Sequence, residues 1–145
     1  MRRQRDDEGT ILFLTLGLTV VLLLLVAVVV DVSAVILAKR GVASAADAAA
    51  LAAAQQPDRG LINSRDNALA QHLPLDPGLV GDVVASYEND ARAGQPGLRL
   101  VATLRGEDEA VVDAYRTITV PFGGWLGVGN VEVHAVARAR SPVMR

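Results

Sequence analysis

The side chains best suited to chemistry in this chain do not converge in sequence. His72 and His134 are its two histidines. Neither has metal-ligand spacing to a second donor, and both read as ordinary surface or core residues. Glu107, Asp108 and Glu109 are adjacent carboxylates. Flanked by Gly106 and set between β-like stretches, they read as a solvated turn. The run Gly123-Gly124-Trp125-Leu126-Gly127-Val128-Gly129 is glycine-rich. It lacks the Lys-Ser/Thr ending of a phosphate-cradling loop and no strong helix follows it, so it reads as a connection between strands. There is no cysteine, which excludes thiol catalysis, disulfides, lipoprotein anchoring and cysteine-built metal sites. No nucleophile–base set can be assembled. The expectation is a non-enzymatic protein with no catalytic, metal or cofactor site. The net charge is -2, and from Pro57 onward 11 acidic residues stand against 9 basic ones, so no nucleic-acid partner is expected.

The elements that position these residues are dominated by one segment. Thr10 to Val30 is an uncharged run of 21 residues, almost all Leu, Val and Ile. At about 1.5 Å per residue it matches the ~30 Å hydrocarbon core of a bilayer. It predicts one transmembrane helix. A buried core helix would need apolar partners on every side, which the remaining short chain does not supply. A cleaved secretory signal fits poorly, because such apolar regions span about 7–15 residues. The nearest small-residue pattern, Ala43-Ser44-Ala45, lies well past the run. Arg2, Arg3 and Arg5 precede the span, and Lys39 and Arg40 follow it. That imbalance places the N-terminus inside and the C-terminal domain outside the cytoplasmic membrane.

Nothing stops the helix at the membrane surface. Nine of the twelve residues from Ala43 to Ala54 are alanine, the best helix former, and Gly41 need not break the helix. A continuous helix to about Gln55 is predicted, ended by Pro57 and Gly60. Its alanine face suits close approach of a second element, in an assembly or on the protein's own domain. Asn63 to Leu73 has helical character, closed by Pro74, Pro77 and Gly78. Leu79 to Tyr87 is ambiguous between strand and helix, and Glu88 to Gly97 is turn-rich. Leu98–Leu104, Tyr115–Phe122 and Val131–Arg140 read as strands. In the last, Val131, Val133, Ala135 and Ala137 alternate with Glu132, His134, Val136 and Arg138, the pattern of a sheet with one covered face.

The expected fold class is therefore α+β. A long N-terminal transmembrane helix extends into an Ala-rich helix, followed by a small domain with an antiparallel β-sheet. The expected divisions are a charged leader at 1–9, the helical module at 10–56, and a small extracytoplasmic domain at 57–145. Two junctions stand out. Asp31 marks the helix's exit into the headgroup region, where it could also pair with a neighbouring subunit. Gly9-Thr10 joins the charged leader to the apolar run, and a small residue at such a junction is where a prepilin peptidase cuts. Its plainer reading is a flexible joint.

The order of features over residues 9–56 resembles the N-terminal module of TadE/TadG-like proteins of Flp-type (tight-adherence) pilus systems. The elements are Gly9, the apolar span, Asp31 at its outer edge, the Lys39-Arg40 pair, and Ala45-Ala46-Asp47-Ala48-Ala49-Ala50-Leu51-Ala52-Ala53-Ala54. The C-terminal VEVHAVARAR is also similar to the final strand of small actinobacterial members. Many pilins and TadE-type pseudopilins carry a Glu at the fifth position after the cleavage point; that position is Leu14 here. The stretch after the module is also shorter than the long adhesive domain of TadG-type members.

The resemblance implies a small minor-pilin-like, pseudopilin-like or assembly-accessory protein. Its implied partners are the membrane, other pilin-like subunits, the pilus or secretion platform, and a prepilin peptidase. Asp31, Ala46, Asp47, Ala49, Ala50 and Leu51 are the candidate subunit contacts. The alternative is a single-pass anchored extracytoplasmic binding or sensor domain unrelated to pili.

Overall fold

The structure is a computed structural model and describes residues 4–62, 72–127 and 129–142. The expected helix at Asn63–Leu73 falls almost wholly outside these residues.

The fold is α+β, with an antiparallel sheet packed against a long helix. Helix α1, Gln4–Ala53, runs unbroken for 50 residues, about 75 Å at the standard rise. It contains no proline, and alanine dominates its second half. Gly41 sits inside it without breaking it, and the Gln95 side chain lies against its backbone. A Cβ there would meet the Gln95 side chain at 3.4 Å, and Gln95 Nε2 donates to the Gly41 carbonyl at 3.3 Å. After Ala53 the chain tightens: Gln55 N–H reaches the Ala52 carbonyl and Gln56 N–H the Ala53 carbonyl. These short-range bonds satisfy helix-end carbonyls before Pro57. A single turn, α2 (Arg59–Ile62), follows.

Helix α3, Pro77–Ala91, resolves the ambiguous stretch as helical. Pro77 and Gly78, read above as terminators, in fact lie at its start. The Asp76 carboxylate caps it, accepting from Gly78 N–H at 2.8 Å and Leu79 N–H at 3.2 Å, and Pro77 occupies the first turn, where its missing N–H costs nothing. Val80 and Val84, one turn apart, are the buried face. The helix runs to Ala91, into the region read as a loop.

Strands β1 (Arg99–Arg105), β2 (Glu109–Thr119) and β3 (Asn130–Arg140) form a meander in the order β1-β2-β3. Strand β2 begins six residues before the stretch read as strand. Glu109, Ala110, Asp113 and Ala114 are poor strand formers by type, and pairing with both neighbours overrides that. The register aligns Ala102 with Val112 and Val112 with Ala137. One face is covered, as the alternation predicts: Val133 and Ala137 are buried, while Glu132, His134, Val136 and Arg138 are exposed.

The cover is α1 itself. Val42, Ala45, Ala46, Ala49, Ala50 and Ala53 recur at helical spacing and belong to one buried cluster with Leu98, Leu100, Ala110, Val112 and Ala114. Alanine faces alanine and valine across this interface. Small side chains bury little area each, and they let the helix lie close to the sheet so that many backbone and methyl contacts accumulate. The C-terminal half of α1 is thus an integral layer of the domain.

The β1–β2 turn lies at the end of the sheet near the close of α1. Gly106 supplies its left-handed conformation (φ 69°). The Glu107 carbonyl accepts from Leu75 N–H at 2.7 Å, and the Asp108 carbonyl from Ser141 N–H at 2.8 Å. The acidic turn is exposed at its tip but ties two other chain segments through its backbone.

Candidate membrane anchor and its junction with the sheet

From Thr10 to Val30 the side chains of α1 stand bare. All are exposed except Ala27, which is half-buried; Phe13 is 77 % exposed. No described part of the chain covers this cylinder. Two hydroxyls within it are folded back on the helix: Thr15 Oγ1 donates to the Ile11 and Leu12 carbonyls, and Thr19 Oγ1 to the Thr15 carbonyl. Ser33 Oγ does the same to Val29 just beyond. Such back-bonding removes the need for water and leaves an apolar outer surface. This is one helix long and apolar enough to cross a membrane.

Asp31 lies at the end of that run. Its Oδ1 accepts a hydrogen bond from the backbone N–H of Phe122 at 2.9 Å. Phe122 belongs to the β2–β3 connection, ninety-one positions away in sequence. The connection leaves β2 through buried Val120, whose N–H reaches the Gly129 carbonyl at 3.3 Å. It then makes a short 3-10 helix, Gly123–Leu126, and turns at Gly127 in the left-handed region (φ 77°). The glycine cluster is therefore a loop between strands, as expected. Asp31 caps nothing on its own helix; it pins this loop to the membrane-length run. Phe122 and Trp125 are 49 % and 92 % exposed on it. Neither aromatic was singled out from the sequence. The available signal was the chain's one tryptophan lying among glycines at a strand end.

Other candidate residues separate along α1. Ala46, Ala49 and Ala50 are buried against the chain's own sheet, whereas Asp47 is exposed and Leu51 is 59 % exposed. Of the six candidate contacts, Asp47 and Leu51 face outward, Asp31 is held by the loop, and the three alanines fill the core. Gly9 and Thr10 are exposed within α1, with no break in the helix between leader and run. Just past Asp31, Ala34, Leu37 and Ala38 on α1 and Arg116–Thr119 on β2 line an open cleft of about 430 Å³.

The remaining polar residues form structural pairs. His134 stacks on Tyr115 with centroids 4.6 Å apart, and its Nε2 lies 3.2 Å from Asp113 Oδ1, on the uncovered face of the sheet. His72 Nδ1 lies 3.0 Å from the Ser141 carbonyl. Among the described residues, no group of three or more His, Cys, Asp or Glu is placed to hold a metal ion.

Among the described residues, the apolar rod continuous with the alanine-faced layer is left uncovered. Residues 9–56 match the TadE/G-like Flp pilus-assembly family. The matched stretch starts at the Gly9-Thr10 junction, passes through Asp31 and Lys39-Arg40, and ends three residues after α1. The TadE/G-like module thus comprises the bare helix and the helical layer of the core, while the sheet and α3 lie beyond it. No curated protein and no solved structure matches the chain. The TadE/G-like module supports a role in pilus assembly, at a membrane and with the pilus machinery.

Proposed function

We propose that this chain is a membrane-anchored, pseudopilin-like or minor-pilin-like protein acting in Flp-type pilus assembly or a related secretion apparatus. Residues 10–30 span the cytoplasmic membrane, the leader lies inside, and the domain of residues 57–145 lies outside together with the Ala-rich half of α1. The observation that carries this reading is the continuity of α1. One unbroken helix is bare over a membrane's thickness and further on buries one face, from Val42 to Ala53, in the core it shares with the sheet. A domain built on the anchor helix cannot swing on a linker, so it presents a fixed face to neighbouring subunits at a fixed height. Asp47 and Leu51 are the outward members of that face near its far end.

In this reading a prepilin peptidase cuts between Gly9 and Thr10, and the absence of a carboxylate at Leu14 favours an initiating or accessory position over bulk filament. The test is deletion of the encoding gene in its own host. Loss of Flp-type filaments, restored by the wild-type chain but not by a Leu22→Arg chain whose span is interrupted, is the expected result. Normal filaments in the deletion strain would overturn the pilus role and favour the anchored binding or sensor alternative. The mass of the mature N-terminal peptide decides processing: a terminus at Thr10 means cleavage, and an intact leader means a permanent anchor.

A further inference from the structure

The two ends of the sheet differ in chemistry. At the end near the close of α1, the β1–β2 turn reads Arg105-Gly106-Glu107-Asp108-Glu109, almost wholly charged. At the other end, the β2–β3 connection carries no charge over its ten residues from Val120 to Gly129. It displays Phe122 and Trp125, and Trp125, at 92 % exposure, is the most exposed large apolar side chain among those described. A solvated connection between strands is ordinarily polar, as the opposite turn is.

The position of this loop is fixed by the Asp31 carboxylate, which accepts Phe122 N–H one residue after the apolar run ends. Trp125 lies three residues on in a 3-10 turn, closed by its own N–H to the Phe122 carbonyl at 3.1 Å. At about 2 Å of rise per residue its backbone is on the order of 6 Å from that of Phe122. The uncharged loop therefore stands beside α1 at the level where the helix leaves the hydrocarbon.

We infer that Pro121–Gly127 is a second membrane contact, a loop whose Trp125 and Phe122 sit in the headgroup–acyl boundary of the bilayer that α1 spans. The inference rests on the anchoring reading above. Its occupant is the phospholipid interface, argued from continuity with the membrane-length run. Tryptophan suits that depth, because its ring is apolar while its indole N–H keeps a polar partner. The consequence is mechanical: helix and loop together hold the domain at two points and fix its tilt against the bilayer, where one helix alone leaves rotation free.

The chain has one tryptophan, so its native fluorescence reports on this loop alone. The full chain is reconstituted in phosphatidylcholine–phosphatidylglycerol vesicles with iodide on both sides, or with lipids brominated at shallow or at deep acyl positions. Retention after an alkaline wash is scored on the same vesicles. The expected result is a retained protein whose emission is quenched severalfold more by shallow than by deep bromines and only weakly by iodide. A retained protein quenched freely by iodide and not by brominated lipid would overturn the loop contact and leave the anchor standing. A retained protein shielded from both quenchers would also overturn it, in favour of a protein-covered loop. Release by the alkaline wash would overturn the anchor itself and the loop contact with it.

Discussion

Asp31 and Phe122 are joined by one hydrogen bond of 2.9 Å across ninety-one positions of sequence. The bond fastens the β2–β3 loop to the helix at the point where an uncharged run gives way to a helix packed on a sheet. A carboxylate at the end of a membrane-length apolar run would be costly in hydrocarbon if left unpaired. Here it has a backbone donor, and the donor belongs to the domain that the helix carries.

Removing that acceptor should loosen the loop before it unfolds the domain. For Asp31→Ala we expect a local loss of about 1.5 kcal/mol, the low end for a hydrogen bond to a charged group, because the site is partly exposed. Hydrogen exchange at the Phe122 amide in detergent micelles reads it. Faster exchange confined to the loop is the expected outcome, and unchanged exchange would show that the bond does not hold it.

The alanine layer should resist enlargement. Ala49 is 0 % exposed in the helix–sheet interface, so Ala49→Leu should force the helix off the sheet and cost about 1–3 kcal/mol. Asp47→Ala, two residues away on the exposed side, should stay within about 0.5 kcal/mol of wild type. Thermal unfolding of the full chain in micelles compares the two. Equal midpoints would contradict the packed-layer description.

The start of α3 depends on Asp76. Asp76→Ala leaves the Gly78 and Leu79 N–H groups without their acceptor and should cost about 0.5–2 kcal/mol. Asp76→Asn, which keeps a cap acceptor, should recover most of that loss in the same unfolding measurement. A null effect of both substitutions would remove the cap as the reason this segment is helical.

Glu88 should matter more than its ion-pair partner. Its Oε1 pairs with Arg92, and its Oε2 accepts Leu100 N–H at 2.6 Å, joining α3 to β1. Glu88→Ala strands a donor on a residue only 8 % exposed and should cost about 1–3 kcal/mol. Arg92 is 45 % exposed, and the ion pair it makes is worth at most about 1 kcal/mol. Arg92 Nε also donates to the Leu98 carbonyl at 3.2 Å, so thermal midpoints of the two alanine variants compare all of Arg92's contacts with the Glu88–Leu100 bond; the reverse order would mean that Arg92, through Glu88 and Leu98 together, carries more of the contact than the backbone bond does.

Much of this architecture is legible in the chain because its signals are local. The charge-free run, the alanine-rich extension and the alternation in Val131–Arg140 each report on a single element, and each element forms as read. What escaped is set by contacts between distant segments. Asp76-Pro77 looks like punctuation after one helix until Val80 and Val84 are seen to face the core. Glu109–Ala114 looks too polar and too small-residued for a strand until β1 and β3 pair on either side of it. The alanine face had two possible neighbours, a partner subunit or the chain's own sheet, and only the assembled fold shows Ala46, Ala49 and Ala50 spent internally. The link from Asp31 to the loop carrying Trp125 has no sequence signature, because a side-chain-to-backbone bond across ninety-one positions leaves no periodic trace.

The central claim is that α1 crosses the cytoplasmic membrane and carries the sheet domain on its outer side. Because the chain has no cysteine, a single Thr103→Cys substitution on the exposed face of β1 provides a clean reporter. The substituted chain is expressed in intact cells and treated with a membrane-impermeant maleimide. Labelling of intact cells, with the labelled protein retained in alkali-washed membranes, is the predicted result. Labelling only after the cells are broken, or labelled protein released by the alkaline wash, would contradict it.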